Sequence, residues 1–279
     1  MKPAVLAKRL EPLMGILRCP RCASQFQLTE QSLICANRHC YDLSRRGYVN
    51  LAPGHDQAAE KYAADLFESR RLIFESGFYA PVMEAIARFL PDAPAVALDV
   101  GCGEGWYARM LADHFPQLEI LGLDISRDAI TAAARISGRA NWMVADLKHL
   151  PVEDHSIDAV MDVLTPADYA EFRRVLKPEG RLIKVIPGAE YLSEVRKAVS
   201  SWLRSGESYD NSRVMEHLRQ NAQVLDEIEI RHSSPLTPEQ SRAFLRMTPM
   251  TFSVPEEALN TLSLDQITIH MHVRCCSMA

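Results

Sequence analysis

Four cysteines and a histidine crowd into residues 19–40 at a spacing that suits a metal ion. The pattern is Cys19-x2-Cys22-x12-Cys35, followed by His39 and Cys40. Zinc prefers four thiolate or imidazole ligands in a tetrahedron, and a C-x2-C turn supplies two of them. A segment this short has too small a core to fold alone, so the metal would supply folding free energy. The spacing leaves the fourth ligand open between His39 and Cys40 and slightly favours the Cys40 thiolate.

A second motif with chemical potential is the glycine-rich turn LDVGCGEGW at residues 98–106. It follows an apolar run that predicts a strand and precedes a segment that predicts a helix. Gly101, Gly103 and Gly105 would let the backbone approach a ligand closely. Asp124 ends the next predicted strand, where a carboxylate can bind the two hydroxyls of a ribose. The turn therefore predicts a site for a cofactor that contains a nucleoside.

Two cofactors fit a strand, a glycine turn and a ribose-binding acid. A dinucleotide calls for GxGxxG and a helix N-terminus open to pyrophosphate, but the sixth position of this loop is Trp106. Asp99 and Glu104 add negative charge, which favours a ligand that carries an ammonium and a sulfonium group. We therefore predict S-adenosylmethionine as the cofactor, with Asp146 or the neighbouring backbone amides at the end of the third strand facing its adenine.

The elements that would position these residues alternate between strands and helices. Such alternation predicts an α/β fold with a parallel sheet covered by helices on both faces. A helical segment over 56–90, broken at Gly77 and restarted at Pro81, precedes it, and residues 1–18 favour a short helix. We expect a zinc module over 1–55 and a second domain over 56–279, with 56–94 as a helical connection. The predicted strands are 95–100, 119–125, 141–146, 156–164, 181–186, 224–231 and 267–275.

Composition excludes several classes of protein. The chain has 279 residues, of which 47% are hydrophobic and 24% charged, as in ordinary globular proteins and unlike fibres or disordered chains. It lacks an apolar run of the ~18–20 residues that span a bilayer, and charged residues interrupt its start before a signal sequence could form. We expect a cytoplasmic protein that binds no membrane, whose seven cysteines form no disulfide scaffold.

The charge is distributed unevenly along the chain. Residues 1–55 carry eight Lys or Arg against three Asp or Glu, whereas the remainder carries 23 basic and 33 acidic residues. A basic module on an acidic body predicts contact with a polyanion. The alternative is that these charges only solvate the face of a small module.

These motifs together resemble the RlmA-type methyltransferases of large-subunit rRNA, which include relatives that confer macrolide resistance. The resemblance covers nearly the whole chain beyond residue 18 and implies a seven-stranded Rossmann-like class I methyltransferase domain behind an N-terminal zinc ribbon. It implies zinc ligation by Cys19, Cys22, Cys35 and His39. The segments that carry it are CPRC (19–22), C-x3-H (35–39), RRGYVNL (45–51), ESRRLIFESGFYAP (68–81), LDVGCGEGW (98–106), GLD (122–124), LKPEG (176–180) and MTPMTF (247–252).

The resemblance also implies residues that contact the cofactor. They are Gly103 and Glu104 in the glycine loop, a tyrosine after the first long helix, which is Tyr79 here, and an aromatic residue or histidine after a Pro-Gly turn, which is Tyr191 here. Some members of the family have histidine at that last position.

The implied reaction is transfer of a methyl group to N1 of a guanine in a 23S rRNA hairpin. Asp162 lies at the carboxyl end of the fourth strand, where it could accept the N1 proton, although some family members carry a basic residue there. The alternatives are a small-molecule methyltransferase with a structural zinc head and a ribosome-associated protein that binds the cofactor without transfer. The sequence leaves the oligomeric state open, a homodimer included. We expect phosphate contacts from Arg21, Arg38, Arg45 and Arg46.

Overall fold

The N-terminal module is a small antiparallel ribbon preceded by a helix. In the computed structural model, which describes residues 1–54, 64–203 and 209–278, helix α1 spans Pro3–Leu10 and a 3-10 turn follows at Glu11–Leu13. Proline at the first helical position suits α1, because the missing N–H has no partner there anyway. The ribbon has the order β1-β2-β3, with strands β1 (Phe26–Leu28), β2 (Ser32–Cys35) and β3 (Cys40–Asp42).

One mixed sheet of eight strands organises the rest of the molecule. All seven predicted strands are confirmed, and the module adds an eighth strand of two residues at the edge. The order is β10-β11-β9-β8-β5-β6-β7-β4. The strands are β4 (Val49–Asn50), β5 (Ala95–Val100), β6 (Leu118–Asp124), β7 (Asn141–Val144), β8 (Ile157–Val163), β9 (Leu176–Pro187), β10 (Ala222–Pro235) and β11 (Gln266–Met278).

The strand directions place the binding crevice. Strands β4 to β9 run parallel to one another, whereas β11 is antiparallel to both β9 and β10. The chain passes from β5 outward through β6 and β7 and then returns to the other side of β5 as β8. Ligands of open α/β sheets bind beyond the carboxyl ends of the strands at such a reversal, which here is the end of β5.

Helices pack on this sheet, as its apolar strands require. The predicted helical segment before β5 is confirmed over residues 64–87 with its break at Gly77 (φ +83°), while its start at 56–63 lies outside the described residues. The helices are α2 (Ala64–Glu75), α3 (Ala80–Ala87), α4 (Trp106–His114), α5 (Arg127–Arg135), α6 (Tyr169–Val175), α7 (Ser193–Ala198), α8 (Ser212–Asn221), α9 (Pro238–Met247) and α10 (Glu256–Leu259).

The zinc module shares its core with the sheet. Leu6, Leu10 and Leu17 of the module are fully buried in the same cluster as Leu121 and Met143 of the sheet. The N-terminal helix α1 covers one face of the sheet, so the core that holds the module is shared with the larger domain. The module's stability thus depends on the larger domain as well as on any metal.

Backbone contacts join the module to the sheet at a second place. The N–H of Leu51 donates to the carbonyl of Val144 at 2.9 Å, which extends the pairing of β4 with β7. The Arg18 side chain of the module also pairs with Asp154 at 2.9 Å.

Across the described ranges, none of the helices combines the length and the apolar character that crossing a bilayer requires.

Candidate active site and metal centre

Three thiols and one imidazole converge in the ribbon at distances that fit a tetrahedral metal. The Cys22 and Cys35 Sγ atoms are 3.7 Å apart, and Nδ1 of His39 lies 3.5 Å from Cys19 Sγ and 3.4 Å from Cys35 Sγ. A tetrahedron with Zn–S near 2.3 Å and Zn–N near 2.0–2.1 Å has S···S and S···N edges of about 3.8 and 3.6 Å. The four ligand atoms therefore already surround a volume of the size of a zinc ion.

Two tight turns present these ligands. The N–H of Ala23 donates to the carbonyl of Cys19 at 2.8 Å, and that of Arg38 donates to the carbonyl of Cys35 at the same distance. Ala23 and Arg38 both have positive φ, which closes each turn on its pair of ligands. Cys40, which spacing slightly favoured, is exposed and lies outside the cluster, so His39 is the fourth member.

Glycine is required at two positions of the loop between β5 and α4. A Cβ on Gly101 would lie 2.2 Å from Thr165 Oγ1, and one on Gly105 would lie 2.2 Å from the Trp142 ring. Gly101, Gly103 and Gly105 all have φ between +58° and +71°, a region that costs other residues about 1–2 kcal/mol. The loop can therefore lie this close to Thr165 and Trp142 only with glycine at positions 101 and 105.

Asp124 is held in place by the backbone of that loop. One carboxylate oxygen accepts the N–H of Gly103 at 2.8 Å, and the other accepts the N–H of Ser126 at 2.8 Å. Each carboxylate oxygen has further lone pairs, so Asp124 can still accept hydrogen bonds from the two hydroxyls of a ribose. Its position at the carboxyl end of β6 agrees with the sequence-based expectation.

Two more carboxylates are buried beside the loop. Both Glu104 oxygens are buried without a hydrogen-bond partner, and burial raises the pKa of Glu104 to about 7. Burial also raises the pKa of Asp99 to about 8. A buried polar group without a partner is costly and calls for a ligand that supplies one. An ammonium group fits Glu104 in charge and in hydrogen bonding.

Tyr79 and Tyr191 meet across the cleft. Their hydroxyl oxygens are 2.8 Å apart, although 112 residues separate them in the chain. Burial raises the pKa of Tyr191 to about 12, so its hydroxyl stays protonated and can donate. The structure thus brings together two residues that only the family resemblance had joined.

These side chains line one large cleft. Its volume is about 1560 Å³, whereas a pocket for one small ligand has roughly 300–1,000 Å³. The cleft therefore has room for a cofactor and part of a second molecule. Asp146 lines it at the end of β7, and the segment from Met247 to Met250 lines it on another side.

Asp162 lies beneath this cleft and does not line it. Its side chain has no exposed surface, and one carboxylate oxygen accepts a hydrogen bond from Lys184 Nζ at 2.7 Å. Lys184 also donates to the Thr165 carbonyl at 2.8 Å and does line the cleft. Burial raises the pKa of Asp162 to about 6 against the opposing charge of Lys184. A base bound in the cleft would therefore meet Lys184 before Asp162.

Four of the six arginines of the zinc module, those expected to contact phosphate, are exposed. Among the described residues, no carboxylate lies within 4.0 Å of their guanidinium groups. Arg21 also lines a second cavity of about 310 Å³, which shares Ala145 and Asp146 with the large cleft. One basic side chain of the module thus stands next to the cofactor cleft. The arginines are Arg21, Arg38, Arg45 and Arg46.

A second group of metal-ligand types, Glu229, His270 and His272, lies on strands β10 and β11. Nδ1 of His270 accepts the N–H of Glu190 at 3.2 Å, so the ring proton is on Nε2, which lies 3.0 Å from Glu229. A metal on Nε2 would displace that proton and leave an imidazolate. These residues are therefore satisfied as hydrogen-bonding partners.

Sequence reasoning missed three cations that line the cleft, Arg70, Lys184 and Arg196. Lys184 carried a signal, because it is a single charge within the apolar run of β9. Arg70 belongs to the ESRRLIFESGFYAP segment, but helical spacing alone does not show which of its two arginines faces the cleft.

Comparisons with known proteins agree with both parts of the structure. Residues 17–59 match the family model described as RlmA, N-terminal, a zinc ribbon, and residues 97–180 match a methyltransferase domain. The chain is 35% identical to YxjB of Bacillus subtilis (strain 168), named as a 23S rRNA (guanine-N1-)-methyltransferase, over 89% of this chain and 91% of that one.

Two further relatives come from actinomycetes. The 23S rRNA (guanine(748)-N1)-methyltransferase of Streptomyces fradiae is 34% identical over 66% of this chain and 67% of its own. A protein of Micromonospora griseorubida, named as a 23S rRNA (guanine-N1-)-methyltransferase, is 30% identical over 85% of this chain and 87% of its own. The chain therefore belongs to the RlmA-type family of 23S rRNA (guanine-N1)-methyltransferases.

Proposed function

We propose that the protein transfers a methyl group from S-adenosylmethionine to N1 of a guanine in a hairpin of 23S rRNA. One observation carries this proposal: the exposed Arg21 of the basic zinc module adjoins the cofactor cleft, since Arg21 and Asp146 line the same cavity. RNA bound to the module would therefore reach the cleft. The cleft's volume of about 1560 Å³ leaves room for a base beside the cofactor.

Zinc is assigned to the cluster in the ribbon. Cys19, Cys22, Cys35 and His39 would hold the ion, since their ligand atoms all lie within 4.8 Å of one another. The metal would keep the two ligand turns together and thereby fix the basic surface. The metal would take no part in methyl transfer, which is assigned to the cofactor cleft.

The cofactor site is assigned to the carboxyl ends of β5, β6 and β7. Asp124 would bind the ribose hydroxyls, Glu104 the ammonium group, and Asp146 would face the adenine. Asp99 would lie beside the loop formed by Gly101, Gly103 and Gly105, where a cationic ligand would favour its ionised form over the protonated form that its raised pKa of about 8 favours. Tyr79 and Tyr191 would cover the amino-acid end, where they already contact each other.

The RNA contacts are assigned to the four exposed arginines of the module. Arginine binds phosphate through two parallel hydrogen bonds, so these side chains would set the position of the hairpin without reading its sequence. Specificity would come from an unpaired base, since the deep groove of an RNA helix hides the base edges. The guanine would leave its stack to enter the cleft. The four are Arg21, Arg38, Arg45 and Arg46.

Methyl transfer requires guanine N1 to lose a proton. S-adenosylmethionine supplies an electrophilic methyl group on a sulfonium centre. The protein must orient N1 toward that group, and orientation alone can remove much of the barrier. Lys184, held by Asp162 and the Thr165 carbonyl, can donate to the O6 atom of the base. This contact withdraws electron density and eases loss of the N1 proton to water.

In this arrangement Asp162 acts through Lys184 and is a positioning residue, whereas the sequence pointed to a general base. The two roles differ in the pH–rate profile. If Asp162 is the base, Asp162→Asn removes the acid limb and Lys184→Met moves it to higher pH, because Lys184 lowers the pKa of Asp162. If Asp162 positions Lys184, both variants lower kcat and leave the acid limb unchanged.

The second candidate function is methylation of a small molecule, with the zinc ribbon as a structural head. The cleft could hold a small substrate, but such a reaction gives the exposed arginines no role. RNA binding separates the two functions. Arg45→Ala/Arg46→Ala should weaken 23S rRNA binding and lower the slope of log affinity against log salt by about 1.5, which is about 0.7–0.9 per lost phosphate contact. Cofactor affinity should not change.

A matched control is Arg219→Ala. Arg219 is an exposed arginine on α8, which packs beside β10 at the opposite edge of the sheet from β4. It should leave both RNA affinity and salt slope as in the unmodified protein. Equal effects of the control and the double variant, or no effect of either, would contradict RNA binding by the module and favour the small-molecule reaction.

A further inference from the structure

The amino-acid end of the cofactor carries two opposite charges, and the cleft must satisfy both. The carboxyl groups of Asp99, Glu104 and Asp124 line the cleft around the glycine loop. This environment suits the ammonium and sulfonium groups but repels the cofactor's carboxylate. A cation must therefore approach the loop if the whole amino acid is to bind.

Among the described residues, three cations line the cleft, and two of them, Lys184 and Arg196, hold segments of the cleft wall. Lys184 is bonded to Asp162 and to the Thr165 carbonyl, both within 2.8 Å. Arg196 donates to the carbonyls of Ala189 and Tyr191 and lies over an aromatic ring. Both therefore serve to hold segments of the cleft wall in place.

Arg70 has a different position. It lies on α2 and is anchored by its Nε, which donates to the carbonyl of Met247 at 3.4 Å. One of its terminal nitrogens reaches to 4.0 Å from the point where a Cβ on Gly103 would stand. The guanidinium group therefore lies over the middle of the glycine loop, next to the buried Glu104.

Electrostatics give an independent indication of the same position. The charge of Arg70 opposes the effect of burial on the pKa of Glu104 and of Asp124, and it does the same for the hydroxyl of Tyr191. Arg70 is thus within Coulombic range of groups on three different segments that line the cleft, of which Glu104 and Tyr191 are assigned to the amino-acid end. A negative ligand group there would experience the same field.

We propose that Arg70 binds the carboxylate of S-adenosylmethionine, while Glu104 binds the ammonium group of the same amino acid. This inference rests on the proposed function only in its choice of cofactor. Guanidinium and carboxylate are planar and match in two parallel hydrogen bonds, a geometry that an ammonium group does not reproduce. Arg70→Lys should therefore recover only part of what Arg70→Ala loses.

The test compares two cofactors that differ by one group. Calorimetry on the full, zinc-loaded chain would measure the affinity for S-adenosylmethionine and for its decarboxylated analogue, which lacks only the carboxylate. Arg70→Ala should weaken the binding of S-adenosylmethionine by about 10- to 100-fold, the effect of losing a hydrogen bond to a charged group. It should leave the affinity for the decarboxylated analogue within about twofold. The variant would thus lose the preference for the carboxylate.

Arg71→Ala is the matched control. Arg71 is the next residue of α2, but its side chain is exposed and pairs with Glu75 at 3.2 Å. It should bind both ligands as the unmodified protein does. Equal weakening of both ligands by Arg70→Ala, or an unchanged preference for the carboxylate, would overturn the proposal. If the unmodified protein bound neither ligand, the choice of cofactor itself would fail, which is a distinguishable result.

Discussion

The affinity for the cofactor should depend on pH, because protonation of the buried Glu104 carboxylate opposes binding of the cofactor's ammonium group. Burial raises the pKa of Glu104 to about 7, with Asp124 adding to the shift and Arg70 opposing it. Only the ionised carboxylate can pair with the cofactor's ammonium group. About one eleventh of the molecules are ionised at pH 6 and about half at pH 7, and apparent affinity scales with that fraction. The affinity should rise about fivefold between these two pH values.

Protonation of Glu104 also makes the stability of the folded protein depend on pH. The pKa of Glu104 is higher in the folded protein than its ordinary value of 4.5, so the folded state binds more protons between about pH 4.5 and 7. The cofactor-free protein should therefore lose stability as pH rises through this window, and bound cofactor should restore it.

Calorimetry at pH 6.0, 6.5 and 7.0 would measure this, since an α-amino group stays protonated below about 7.7. Binding should release protons, which shows as a dependence of the measured heat on the buffer's ionisation enthalpy. Glu104→Gln should weaken binding at pH 7 and abolish most of the pH slope. An unchanged slope in Glu104→Gln would refute the assignment of Glu104 to the ammonium group and would direct attention to Asp99, whose pKa burial raises to about 8.

Three further outcomes follow from the geometry. Metal analysis should find about one zinc per chain, and Cys22→Ser should lose it together with the structure of the ribbon; a ribbon that kept its circular dichroism in chelator would contradict this role. Asp124→Ala should make the free energy of S-adenosylmethionine binding less favourable by about 1–3 kcal/mol in calorimetry, the cost of a lost charged hydrogen-bond partner. Gly101→Ala should lower the free energy of unfolding by about 1–3 kcal/mol, since it combines a positive φ with a Cβ placed 2.2 Å from Thr165 Oγ1; Thr165→Ala in the same chain should recover part of that loss.

The sequence predicted the strands well, because each is a continuous apolar run that only a buried sheet can use. The segment 95–100 coincides with β5, and 141–146 differs from β7 only at its end. The C-x2-C pair predicted a metal cluster for an equally local reason. Two tight turns decide that geometry, and turns are encoded within a few residues.

Contacts between segments that are distant in the chain could not be predicted from local sequence patterns. Spacing could not choose between His39 and Cys40, since adjacent residues of β3 and its preceding turn point in different directions and only the fold shows which way. The pairing of β4 with β7 and the position of Arg70 over Gly103 join segments that are more than 30 residues apart. The burial of Asp162 under Lys184 was hidden for the same reason, because strand neighbours are set by topology.

The most direct test of the rRNA methylation function is primer extension on 23S rRNA treated with the purified, zinc-loaded protein. The RNA would come from cells without the gene, and S-adenosylmethionine would be the only added cofactor. A methyl group on guanine N1 blocks base pairing and stops reverse transcriptase. We expect a single new stop at a guanine in a hairpin loop, and no stop with the Asp124→Ala variant at a cofactor concentration that only the unmodified protein can use. Methyl transfer to a small metabolite with no stop on the rRNA would contradict this function.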